Sequence, residues 1–180
     1  DVAHMKSEIG LLYYNDFNRP VLEKLIHTNE LTFTELFTAH PHIFIGKNHP
    51  LANKDVVSMD ELEEYPYISF EQGDHNSFYF SEEIFSTVVR PKHIRVRDRA
   101  SLFSLLLGLD GYTVSSGVID EEVNGENIIS VPLAEEGLMH IGYITNNKMH
   151  RSRLGQEYIQ ALEQYVGNYG KHIKLPKTKE

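Results

Sequence analysis

Four clusters of polar residues, each directly after an apolar run, could bind or act on a small molecule. They are Tyr14 and Asn15, then Glu71, Gln72 and Gly73, then Asp98, Arg99 and Ser101, and last Ser115, Ser116 and Gly117. In open α/β sheets ligands bind beyond the carboxyl ends of the strands, where loops lead into helix N-termini with spare N–H donors. Arg99 carries the strongest chemistry of the four clusters. A guanidinium facing a cleft suits a carboxylate or phosphate through bidentate contacts, whereas the same residue at a solvated helix start does nothing specific. The other residues also have structural readings: Asn15 as a turn former, Asp98 as a helix N-cap, and Ser115 and Ser116 as partners of local backbone.

Catalytic and metal chemistry find less support. Glu82 and Glu83 are adjacent and point to different flanks of a helix, which suits dipole compensation better than a paired acid and base. Among ten histidines, His40 and His42 flank Pro41 and His49 falls in a turn, so no i, i+4 ligand pair forms and no metal site is expected. There is no glycine-rich phosphate cradle and no G-x-S-x-G elbow. Ser115, Ser116, Asp98 and Glu71 have no evident partner histidine, so the expectation is a binding protein without cofactor, not an enzyme.

The elements that must position these residues alternate between strand and helix. Residues 8–14 (EIGLLYY) read as a buried strand ended by Asn15 and Asp16. A helix capped by Asn18 follows, with Pro20 in its first turn and Leu22, Leu25 and Ile26 on one face. Leu31 to Ala39 alternates as a half-buried strand, and Ile43 to Gly46 is a short apolar strand before the turn at Asn48, His49 and Pro50. Ser58 and Glu61 have the spacing of a capping box opening a short helix, which Tyr65 and Pro66 stop before a strand at Tyr67 to Phe70. A helix is predicted over Phe78 to Val88, with Phe78, Ser81, Ile84, Phe85 and Val88 on one face and the Phe78, Tyr79 and Phe80 rings in the core. Asp98 caps a second helix with a Leu102, Leu105, Leu106, Leu109 stripe. A last helix over about Ser152 to Gly167 aligns Leu154, Tyr158, Ala161, Leu162 and Tyr165. Such alternation predicts mostly parallel sheets, because parallel strands need crossover connections.

The order and spacing of HPLA at His49 to Ala52, ELEEYPYISF at Glu61 to Phe70, KHIRVRD at Lys92 to Asp98, RASLFSLLLGL, GYTVSSGVI, VPL at Val131 to Leu133 and HIGYIT at His140 to Thr145 resemble the effector-binding domain of LysR-type transcriptional regulators. The likeness covers nearly the whole chain. One departure is Gly111-Tyr-Thr-Val-Ser-Ser-Gly117, where members usually carry Gly-x-Gly, a hydrophobic run and proline. The resemblance implies an α/β fold of two Rossmann-like lobes joined by crossover strands, like the type 2 periplasmic binding proteins. Residues 1–44 plus 141–180 would form the first lobe and 45–140 the second. It implies that Tyr14, Asn15, Glu71, Gln72, Asp98, Arg99, Ser115 and Ser116 line an effector cleft, and that a small metabolite closes the lobes to modulate DNA binding. The family's first strand, first helix and helix-turn-helix would precede Asp1, so the first lobe is expected to be incomplete and DNA contact to come from an N-terminal segment. Full-length members form homodimers or tetramers through this domain.

Composition narrows the rivals. A formal charge of −9 over 180 residues argues against this segment gripping a phosphate backbone, which calls for clustered Lys and Arg. No run reaches membrane-spanning length, and the absence of cysteine removes disulfides and thiolate metal sites, in keeping with the cytoplasm. A solute-binding protein of a transporter is the alternative, since that class shares the two-lobed cleft. A cleft lined by the Phe78, Tyr79 and Phe80 rings and Arg99, the alternative to rings that only fill the core, would favour an anionic effector with an apolar or aromatic body.

Overall fold

The computed structural model describes residues 1–71, 77–119 and 124–169, and the chain divides into two compact units. Among the described residues, Asp1–Ala39 and 138–169 form one; His40–Gly137 forms the other. In chain order the strands are β1 (Ile9–Tyr14), β2 (Leu31–Ala39), β3 (His42–Gly46), β4 (Tyr67–Phe70), β5 (His93–Val96), β6 (Thr113–Ser115), β7 (Ile128–Pro132) and β8 (Met139–Asn146). The α-helices are α1 (Arg19–Thr28), α2 (Arg99–Gly108) and α3 (Arg153–Tyr169).

The expected parallel pairing is corrected by the register. In the first unit β8 lies between β1 and β2 and is antiparallel to both. In the second unit β3 lies between β6 and β7, again antiparallel; only β4 and β5 pair in parallel. The central strands β8 and β3 find partners far along the chain, and those partners run the opposite way, so strand and helix alternation in sequence does not dictate direction here. A parallel bridge from Tyr67 to Tyr112 ties β4 to the residue before β6, with Ile68 N–H donating to the Tyr112 carbonyl at 2.8 Å.

Each element shows what its residues dictate. All of β3 is buried, and Phe44, Ile68, Val96, Leu102, Leu106 and Ile128 form the core of the second unit, each large side chain contributing about 1.5–3 kcal/mol. β1, by contrast, is half-buried and leaves Leu11 exposed. Before α1, Asn15 and Asn18 each accept the other's backbone N–H at 2.8 Å, so Asn18 closes the turn and donates no cap to the helix. At the Ser58 position Glu61 accepts Ser58 N–H at 3.1 Å, but the helix is a single 3-10 turn, Asp60–Leu62. On β8 a side chain at Gly142 would collide with the Thr34 carbonyl and the Phe33 ring, beside the irregularity between Glu35 and Phe37.

The helix predicted over Phe78 to Val88 does not form. A 3-10 turn covers Phe78–Phe80 alone, and Phe85 sits at φ 61°, a left-handed conformation that no α-helix continues through. The backbone is held by the Arg90 side chain instead. Arg90 Nη1 donates to the Phe85 and Val88 carbonyls at 3.0 Å each, its Nε donates to the Tyr112 hydroxyl, and its guanidinium stacks 3.9 Å above the Tyr67 ring. Phe78, Tyr79 and Phe80 are exposed, not core. In α3 the inward face is also rotated from expectation. Glu8 accepts Ser152 N–H and Oγ–H at 3.0 Å each, and Ser152 Oγ accepts Gly155 N–H. That anchor turns Gly155 and Ile159 inward, while Leu154, Tyr158 and Tyr165 stay exposed.

Candidate functional site

Within the His40–Gly137 unit, β3, β4, α2, β6 and the Glu82–Glu83 segment line a cavity of about 130 Å³. This is below the ~300–1,000 Å³ usual for ligand pockets, and the pocket is partly open to solvent. Phe44, Phe70, Leu102 and Phe103 supply its apolar wall, and Glu82, Glu83, Arg99, Thr113, Ser115 and Asn124 its polar groups.

Glu83 is buried, at 3% exposure. Its Oε1 accepts Phe70 N–H at 2.8 Å and its Oε2 accepts Ser81 Oγ–H at 3.0 Å. Burial pushes the carboxyl above the usual carboxylate range, with those two donors working in the other direction. The acid therefore ties the irregular segment to β4 while leaving acceptor capacity on each oxygen.

Arg99 stands at the first turn of α2, where Asp98 caps the helix: Asp98 Oδ1 accepts Ser101 N–H and Oδ2 accepts Ser101 Oγ–H, both at 2.8 Å. The Arg99 guanidinium lies 5.9 Å over the Phe103 ring. Among the described residues no carboxylate pairs with Arg99. Thr113 is 5% exposed and lines the cavity. Beside β6, Gly117 has φ 83°, and a Cβ there would come within 2.6 Å of the His42 ring.

Of the residues singled out in the sequence, the structure brings Arg99 and Ser115 to this cavity. Asp98 is absorbed by its cap, and the Asp98–Ser101 bonds hold its carboxyl below the usual range. Glu71 pairs with Arg97 in an exposed ion pair that likewise lowers its carboxyl. Ser116 Oγ accepts Val118 N–H at 3.4 Å. Tyr14 and Asn15 belong to the other unit, where the Tyr14 ring packs 4.3 Å from Phe33 and burial pushes its hydroxyl up. Gln72 and Gly73 lie outside the described residues. Sequence reasoning missed Glu83, Thr113 and Asn124. Thr113 carried a faint signal, a polar residue inside the apolar YTV run; the Glu83 signal was hidden by the helix reading.

His42 and His49 bond to backbone. His42 Nδ1 lies 2.8 Å from the His40 carbonyl. His49 Nε2–H donates to the Asp110 carbonyl at 3.0 Å while its Nδ1 accepts Leu51 N–H at 3.0 Å. Among the described residues no group of three or more His, Asp and Glu side chains is placed to hold a metal ion. None of their helices is long and apolar enough to cross a membrane.

A family model described as the LysR substrate binding domain matches residues 19–167. The chain belongs to the LysR substrate-binding-domain family. Solved structures give this LysR domain its α/β fold of the type 2 periplasmic-binding-protein kind. The effector-binding domain of QuiR in complex with shikimate is 16% identical, with a TM-score of 0.58, over 97% of this chain and 77% of that one. The BenM effector-binding domain with its effector benzoate is also 16% identical, with a TM-score of 0.56, over 99% and 78%. HinK, a LysR family transcriptional regulator from Pseudomonas aeruginosa, is 14% identical with a TM-score of 0.60. The LysR domain covers 93% of itself in that alignment but spans only 56% of the HinK chain. No curated protein matches the chain.

Proposed function

We propose that this LysR domain senses a small metabolite and passes its occupancy to a DNA-binding segment of a longer regulator, without catalysing a reaction on it. The observation that carries the reading is the cavity of the second unit, where an arginine with no carboxylate partner among the described residues and the polar Thr113 and Ser115 meet an apolar wall inside a LysR substrate-binding fold. Relatives solved with shikimate and benzoate hold carboxylate-bearing rings, which is the chemistry Arg99 suits. In this proposal the two units act as the two lobes, Arg99 and Ser115 contact the effector, and the full-length regulator is a cytoplasmic homodimer or tetramer. The ligand shifts the regulator only by its differential affinity for the two states it selects between.

Thermal melting of the protein against small carboxylates, amino acids and phosphorylated metabolites tests this. A concentration-dependent rise in Tm, lost in the double variant Arg99→Ala/Ser115→Ala, is the expected outcome. A transition indifferent to every compound would remove the reading.

A further inference from the structure

Among the described residues the cavity is lined by more acidic than basic side chains. Glu82 and Glu83 line it together with Arg99 as its only cation among the described residues, and neither acid has a cationic partner there. Glu83 is not an incidental surface acid. The Phe70 N–H and Ser81 hydroxyl fix its two oxygens, so the carboxyl keeps one orientation in the cavity wall, and although burial favours its neutral form, an ammonium beside it would favour the ionised one. A ligand bearing only a carboxylate would gain Arg99 but meet two acids. A ligand bearing only an ammonium would gain the acids but leave Arg99 unanswered. Like charges repel and unlike charges attract even where, as at Arg99 and Glu82, the groups are exposed, so the penalty falls on each singly charged ligand.

We infer that the effector is a small zwitterion of the α-amino acid class, its carboxylate on Arg99, its ammonium on Glu83 and Glu82, and its side chain against Phe44, Phe70 and Phe103. Thr113 and Ser115 offer hydroxyls to the carboxylate on the β6 side. The limited volume of about 130 Å³ selects compact members of that class. This inference rests on the sensing function proposed above and names its ligand.

The test is isothermal titration of the protein with L-amino acids, each beside the matched carboxylic acid lacking the amine and the matched amine lacking the carboxylate. For leucine these are 4-methylpentanoate and 3-methylbutylamine; for alanine, propionate and ethylamine. An amino acid should bind at least tenfold more tightly than both of its analogues. Glu83→Gln and the exposed Glu82→Gln, whose fold is checked by circular dichroism, should each shrink the preference for amino acid over carboxylic acid, while Arg99→Gln shrinks the preference over amine. A carboxylic acid or phosphate that binds as well as or better than every amino acid overturns the zwitterion and leaves the sensor standing. Binding by no compound of the panel overturns both.

Discussion

The two walls that carry charge into the cavity are built in opposite ways. On the α2 side, Arg99 rides a regular helix whose start is secured within four residues by Asp98 and Ser101. On the other side, Glu83 lies on irregular backbone secured by a bond to Phe70, 13 residues away, and by Arg90 reaching Tyr112, 22 residues away. A locally secured wall presents a side chain that can be exchanged without disturbing what carries it. In the distantly secured wall the charged group is itself part of the scaffold, so its binding role and its structural role cannot be separated by deletion, only by conservative exchange.

Breaking the distant wall should have the largest effect. Glu83→Ala strands the buried Phe70 N–H and Ser81 hydroxyl, and urea unfolding should show a loss of roughly 2–4 kcal/mol. Glu83→Gln keeps an acceptor and the shape, and its loss should be about 1 kcal/mol or less. The sign of the pH effect agrees. Because burial raises the Glu83 carboxyl, its contribution is fully present below the unfolded value near 4.3 and is lost as pH rises through the folded value. Gln, standing in for the protonated acid, removes that loss. Equal destabilisation by Ala and Gln would collapse the distinction between the walls.

His49 offers an intermediate case, with one bond to a neighbour and one across 61 residues. Burial lowers its pKa, so its contribution is present above the unfolded value of about 6.5 and is lost as pH falls through the folded value. Lowering the pH from about 7.5 to about 5.5 should reduce the urea midpoint of the wild type more than that of His49→Gln, and matching slopes would show that the ring is not a latch. The smallest effect is expected on the local wall. Asp98→Ala removes a cap from an exposed helix start, and its Tm should fall by less than that of Glu83→Ala. Arg99 chemistry should survive in this variant, read as retained ligand-induced Tm shift.

Strands and the α2 cap are legible in the sequence because their causes are local. An apolar run such as residues 43–46 can only be buried, and an Asp three residues before a serine amide caps a helix wherever it lies. Strand direction is not legible, because β3 is paired by residues 113–115 and 128–132, and nothing in HIFIG encodes which way those run. The failure at Phe78 to Val88 has the same origin. Its periodicity is helical, yet Arg90 and Glu83 take their partners from β4 and from Tyr112, and those competing bonds win over a weak helix rich in aromatic and β-branched residues. Arg99 and Ser115 are legible as candidate residues because they stand at or just past strand ends; Glu83 lines the same cavity only through packing that the sequence cannot show.

The first unit is interrupted by the second, and its middle strand is its last. β1 residues 9–14 and β2 residues 31–39 both hydrogen-bond to β8, residues 139–146. During synthesis, therefore, the two outer strands leave the ribosome long before the strand that joins them exists, and they wait while residues 40–137 are made. The inserted unit holds its own core and has every strand of its sheets in hand before β8 appears, so vectorial synthesis favours its completion first. The outer strands meanwhile present unpaired edges, the kind of surface that invites association with other nascent chains. Pairing of the described sheet of the first unit thus waits on the emergence of one eight-residue strand.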